Sequence, residues 1–227
     1  MIVSVHVRKC AGSSFRKALQ EYYKNSIRLD YGDQIGSSDP QSIAIRKRTH
    51  RQVEDHKVEI AKRFRIVHGH FYAKKYECVP TVKRYATILR DPVARLLSNY
   101  FYLKRNPERT NPDANIVHQH GATLEDYINF PDAQNVQAQF LDGVPLTSFD
   151  FVGITEDYAN SIRLFNRLFR AQLQASHSEN TNPKGENQYD VSPEIVSLIK
   201  KRNEQDVELY EKAKEFFRAD CRRYLPD

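Results

Sequence analysis

IVSVHVRKCAGSSFRKALQEYY, residues 2–23, moves from one chain conformation to another within a few positions. Ile2 to Val7 is a short β-branched run and reads as a strand. Cys10 to Phe15 supplies small residues for a tight loop, and Phe15 to Tyr23 spaces its apolar groups as one helix face. The same punctuation recurs downstream. Residues 65–70 and 84–89 (RYATIL) read as strands, and Asp91-Pro92 opens a helix over 93–104, because Asp caps a helix and Pro fits its first turn. Residues 149–154 (FDFVGI) form a further strand, followed by an amphipathic helix over 156–172.

Between these units, 30–42 is rich in Gly, Ser, Asp and Pro and reads as a loop before a polar helical stretch over 43–63. Residues 105–121 have no sustained period and read as a long loop or irregular insertion. Residues 124–129 and 133–141 look helical, and a polar loop over 176–190 leads to a last helix from Pro193 to about Ala219, capped by Ser192. Strands alternating with helices predict an α/β fold, a parallel sheet flanked by helices on both faces, with ligands at the carboxyl ends of the strands.

The 227 residues suit one domain of ordinary size, and 1–227 is read as such. Apolar residues at 40% and charged residues at 28% exclude disorder throughout. No apolar run approaches the roughly 20 residues that a bilayer span needs. The N-terminus enters a strand pattern at once, with no secretory-signal layout. Cys10, Cys78 and Cys221 are odd in number and widely spaced, which suggests neither a disulfide framework nor a structural zinc site. With no Asn-x-Ser/Thr sequon, this pattern fits a reducing cytoplasm. A net charge of +6 favours anionic ligands. Basic residues cluster around Arg8-Lys9 and over 46–51, where a solvated surface is the plain alternative.

Three places carry candidate chemistry. At Arg8 to Phe15, backbone N–H groups and the positive helix end would converge on an anion. Lys9 adds a mobile cation, Ser13 and Ser14 add hydroxyl donors, and Ala11 and Gly12 let the oxyanion approach. This is a phosphate cradle, but not a Walker A loop, since Lys9 precedes Gly12 and no magnesium-binding strand end appears. A plain strand-to-helix turn is the alternative. At the end of the 84–89 strand, Arg90 can fork two N–H bonds onto a phosphate, with Ser98 two turns into the helix. At 68–70, His68 and His70 share one strand face, Gly69 permits close approach, and neutral imidazole suits proton abstraction. His118-Gln119-His120 repeats the spacing, but no carboxylate motif supports a metal site there, and none is assigned.

RKCAGSSF (8–15), HGH (68–70) and LRDPVARLLSNY (89–100) together resemble the sulfotransferases that use 3'-phosphoadenosine 5'-phosphosulfate (PAPS), the likeness being closest to the carbohydrate 2-O-sulfotransferase branch. NVQAQFL (135–141), VGITE (152–156) with the helix bearing Ser161, and NEQDVELY (203–210) extend it nearly end to end. Arg8-Lys9-Cys10-Ala11 stands where many relatives carry Pro-Lys-Thr-Gly.

The resemblance implies a P-loop-like α/β fold without ATP hydrolysis. It implies that Arg8 through Phe15 hold the 5'-phosphosulfate, with Lys9 the principal cation, and that Arg90 and Ser98 hold the 3'-phosphate. Lys184 is a further candidate for that phosphate. The reaction is then in-line transfer to an acceptor hydroxyl, with His70 taking the proton, His68 as the alternative base, and 3'-phosphoadenosine 5'-phosphate (PAP) leaving. No metal is required. A glycan is the first choice of acceptor, with tyrosyl peptide, lipid and small alcohol open. If the chain is a domain trimmed of the anchor that Golgi members carry, the Golgi lumen replaces the cytoplasm. The rival readings are a kinase-like or other nucleotide-dependent phosphoryl-transfer enzyme, and a basic nucleic-acid module. The latter is set aside because the aromatic residues fall on core faces.

Overall fold

A computed structural model describes residues 1–106, 112–119, 121–175 and 189–225. Strand β1 (Ile2–Val5) is the centre of a five-stranded sheet. On one side lie β3 (Ile66–Gly69) and then β2 (Ile27–Asp30); on the other lie β4 (Arg84–Leu89) and then β5 (Phe149–Ile154). Every pairing is parallel. All four residues of β1 and of β3 are buried. Because successive side chains point to opposite faces, burial without alternation means that protein covers both faces.

The helices are α1 (Gly12–Tyr23), α2 (Pro40–Asp55), α3 (Lys57–Arg63), α4 (Pro92–Arg105), α5 (Pro112–Gln119), α6 (Leu124–Asn129), α7 (Val136–Leu141), α8 (Tyr158–Phe169), α9 (Pro193–Arg202) and α10 (Glu204–Tyr224), of which α5, α6 and α9 pack with α4 around a second apolar cluster. Phe15 of α1, Phe151 of β5 and Phe165 of α8 meet edge to face or stacked, and fix these two helices on one face of the sheet. The predicted caps form: Asp91 accepts from the Ala94 amide with Pro92 in the first turn, and Ser192 accepts from the Ile195 amide.

Five features differ from the sequence reading. Strand β2 was not anticipated; it is four residues long, at the edge, and gains its ladder only from β3. Helix α5 occupies part of the expected loop over 105–121, started by Pro112 and burying Ala114 and Val117. The helical stretch over 43–63 breaks at His56, and the last helix breaks at Asn203. Helix α8 is shorter than 156–172, ending where Arg170 turns left-handed at φ 51°.

The chain leaves β1 for the β2 edge, returns through β3, and crosses β1 to reach β4. The carboxyl ends of β1, β3 and β4 therefore lie side by side along one edge of the parallel sheet, the edge at which open α/β sheets bind ligands. The segment after β2 is firmly held beside it. Lys75, 4% exposed, lies 2.7 Å from Asp30 and 2.6 Å from Asp33, and Arg46 donates to the carbonyls of Gln34 and Ser37.

Candidate active site

Parallel register sets Ser4 beside His68, and the same alternation brings His6 beside His70. The His6 ring stacks on His68 at 5.1 Å and lies 4.3 Å from His70. The Tyr31 hydroxyl lies 2.8 Å from His6 Nδ1, and the Tyr31 ring edge meets His70 at 4.8 Å. His6 and Tyr31 were not singled out from sequence. The available signal was the polar pair Ser4 and His6 within an otherwise apolar strand.

The two motif histidines differ in what they offer. His68 is 1% exposed, with Nδ1 2.9 Å from the Ser4 hydroxyl and Phe15 against its edge. Its place is in the core. His70 is half-buried, and its Nδ1 lies 2.6 Å from the His6 carbonyl oxygen. A carbonyl only accepts, so Nδ1 carries the proton and Nε2 of the neutral ring holds the lone pair. Burial and the neighbouring His70 hold the His68 pKa down at about 3. Burial, with the charges of Arg8 and Arg16, holds His70 at about 4, and burial keeps His6 well below the usual value.

A stability consequence follows from these depressed values. The folded protein binds fewer protons at the three rings than the unfolded chain does. Their stabilising contribution is complete above about pH 6.5 and is lost as pH falls through about 4 and then about 3. Urea denaturation is expected to show a midpoint that declines steadily from pH 7 to pH 4, with a shallower decline in His68→Gln. Equal midpoints at pH 7 and pH 4 would contradict the assignment.

The loop from β1 to α1 holds two non-glycine residues in the left-handed region, Lys9 at φ 66° and Ala11 at φ 54°. Ala11 is the N-cap of α1 and, as an alanine, gives the first turn no side-chain hydrogen bond. The amides of Gly12, Ser13 and Ser14 belong to the first turn, which has no intrahelical acceptors. Phe15 is different. Its amide is bonded to the Ala11 carbonyl at 3.1 Å and its ring is packed in the core. A Cβ at Gly12 would lie 1.5 Å from His6 Nε2, so any other residue there would have to displace the His6 ring.

The cations gather around this loop. Lys9 Nζ lies 3.9 Å from the ring centre of Tyr102 on α4. Ser98, buried, is one turn before Tyr102 on the same face of α4. Arg90 Nη1 donates to the Lys9 carbonyl at 3.2 Å. The Arg8 guanidinium lies 6.0 Å from the Phe140 ring, which also meets His70 at 5.8 Å. Thus Arg8, Lys9, Arg90 and His70, predicted from three separate motifs, are linked around this loop by direct or shared contacts, and Ser98 lies one turn from the aromatic partner of Lys9. Burial pushes the Cys10 thiol up to about 12, which keeps it neutral within this loop. Lys184 and His120 lie outside the described residues. Among the described residues no group of three or more His, Cys, Asp or Glu side chains is arranged to hold a metal ion, and no helix is long and apolar enough to cross a membrane.

A model of the sulfotransferase family matches residues 1–213. Among solved structures, the chain is similar to a sulfotransferase from Alicyclobacillus acidocaldarius at 16% identity over 98% of this chain and 93% of that one, with a TM-score of 0.45. It is also similar to mouse sulfotransferase SULT7A1 complexed with PAP, at 12% identity over 88% of this chain and 62% of that one, with a TM-score of 0.38. A search of curated proteins gives no match.

Proposed function

The chain belongs to the sulfotransferase family, and we propose that it moves the sulfuryl group of PAPS to the hydroxyl of a carbohydrate, acting as a single domain. The observation that carries this reading is the α1 start, which has no side-chain cap and is bordered by Lys9, Arg8 and Arg90, with His70 on the neighbouring strand end. An anion at that start would take up the first-turn amides and meet the positive helix end. The sequence likeness of 8–15, 68–70 and 89–100 to the carbohydrate 2-O-sulfotransferases favours a sugar hydroxyl as acceptor.

PAPS, when bound, supplies an activated sulfuryl group. The acceptor oxygen forms the new S–O bond as the bond from sulfur to the 5'-phosphate oxygen breaks, and the acceptor proton passes to His70 Nε2. His70 is preferred to His68 because it is the less buried ring and its bond to the His6 carbonyl presents Nε2 as acceptor. Lys9 and the amides of Gly12 to Ser14 balance charge on the departing phosphate, where fixed donors lower a barrier most. Arg90 and Ser98 hold the 3'-phosphate.

With the His70 pKa held at about 4, the transfer rate is expected to be flat with respect to this group from pH 6 to 8 and to fall below about pH 5. A rate limb at the ordinary histidine value would contradict the base assignment. The first test of the function is calorimetric titration with PAP, beside ATP with magnesium, on the parent protein, Lys9→Ala and Arg90→Ala. Magnesium-independent PAP binding, weakened at least about tenfold in both variants, is expected. A preference for magnesium-ATP would replace sulfuryl with phosphoryl transfer.

A further inference from the structure

Gln137 is fully buried, yet its side chain reaches both halves of the donor site. The Arg90 amide donates to Gln137 Oε1 at 2.9 Å, and Gln137 Nε2 donates to the Arg90 carbonyl at 2.9 Å. This reproduces, with a side-chain amide, the paired bonds that a neighbouring strand would give just past the end of β4. The Cys10 thiol points at the same Oε1 from the loop after β1, at 3.6 Å. Arg90 in turn donates from Nη1 to the Lys9 carbonyl.

The bracket is itself anchored. Asp206 of α10, fully buried, accepts from the Gln137 amide at 3.1 Å and the Ala138 amide at 2.8 Å, and so caps α7. Arg95 Nε lies 3.9 Å from Asp206, and Arg95 Nη2 donates to the Ala133 carbonyl. Asn135, left-handed at φ 48°, is tied to α10 by its amide, which donates to Asn203 Oδ1, and by its Oδ1, which accepts from the Asp206 amide.

We propose that Gln137 is a positioning residue for the donor site, holding the main chain of Arg90 in register with the Lys9 loop while Asp206 fixes Gln137 from behind. The inference rests on the donor reading given above. Only a group with a donor and an acceptor in one plane satisfies both Arg90 main-chain groups. A carboxylate leaves the Arg90 carbonyl without its donor, whereas a protonated carboxyl restores an O–H donor beside a C=O acceptor. That difference separates positioning from mere packing.

Ser161 supplies the control, because its hydroxyl brackets Ile154 in the same way at the end of β5, 2.8 Å from the amide and 2.9 Å from the carbonyl. PAP affinity and melting temperature would be measured for the parent, Gln137→Met, Gln137→Glu and Ser161→Ala. Gln137→Met is expected to bind PAP at least about tenfold more weakly than Ser161→Ala at comparable loss of melting temperature. The affinity of Gln137→Glu relative to the parent is expected to rise toward unity as pH falls from 8 to 5.5. Equal affinities in Gln137→Met and Ser161→Ala, or a flat ratio for Gln137→Glu, overturn the proposal; should Gln137→Met not fold, the Gln137→Glu titration decides alone. A parent protein that does not bind PAP overturns the donor reading and this inference with it.

Discussion

Sulfuryl transfer by His70→Ala is expected to fall by about 100- to 10,000-fold, the usual range for loss of a general base, while PAP titrates as it does with the parent. The separation follows from the geometry. His70 sits on the β3 end, held by the His6 carbonyl, the Tyr31 edge and the Phe140 edge. The proposed phosphate contacts lie in the loop after β1, at Arg90 just past β4 and at Ser98 on α4. Removing the imidazole therefore deletes the proposed proton acceptor and leaves the cation set in place. His68→Ala gives the contrast: it opens space in the core beside Ser4 and Phe15, so it is expected to lower melting temperature more than turnover. Turnover of an accepted glycan measured for both variants, beside calorimetry with PAP, decides the matter. Near-normal turnover in His70→Ala would remove it from the chemistry.

Much of the candidate site's frame was legible because it follows from short-range rules. A β-branched run, a loop of small residues and an amphipathic helix specify a strand that turns into a helix start before any tertiary contact is known. Arg90 was legible because Asp91-Pro92 marks the helix start and so places the arginine at a strand end. The supporting residues were not legible. Gln137 and Asp206 are separated by 69 positions and Gln137 and Arg90 by 47, and each is a polar residue that looks solvent-facing in isolation. Their pairing exists only once α7 and α10 pack. The same holds for β2, whose Ile27 and Leu29 alternate too briefly to outweigh Arg28 and Asp30 without the ladder from β3. Breaks at His56 and Asn203 escaped because the hydrophobic pattern continues across them. Propensity reads the hydrophobic period, whereas the break at Asn203 follows from bonds to Asn135.

Gly69→Ala is expected to have the largest effect on stability, for a reason independent of catalysis. A Cβ at Gly69 would lie 1.6 Å from the Asp30 carbonyl oxygen and 2.4 Å from the Asp30 carbonyl carbon. Both are main-chain atoms of the paired strand, so no side-chain rotation relieves the clash. The β2–β3 ladder would have to open. Asp30 would then move away from Lys75 and from the Tyr76 hydroxyl, which donates to it at 2.7 Å, leaving the buried ammonium short of one carboxylate. Breaking a buried pair costs about 3–5 kcal/mol, and at this chain length each kcal/mol is about 2–4 °C in melting temperature. A fall of about 6–20 °C in a calorimetric scan is therefore expected. Gly32→Ala tests whether the cause is this close approach, since a Cβ there meets Thr49 Cγ2 at an ordinary 3.4 Å. That variant is expected to melt within about 2 °C of the parent. Comparable losses in the two variants would mean that the segment after β2 is sensitive to any added side chain, and that the glycine between His68 and His70 is not what lets β2 join the sheet.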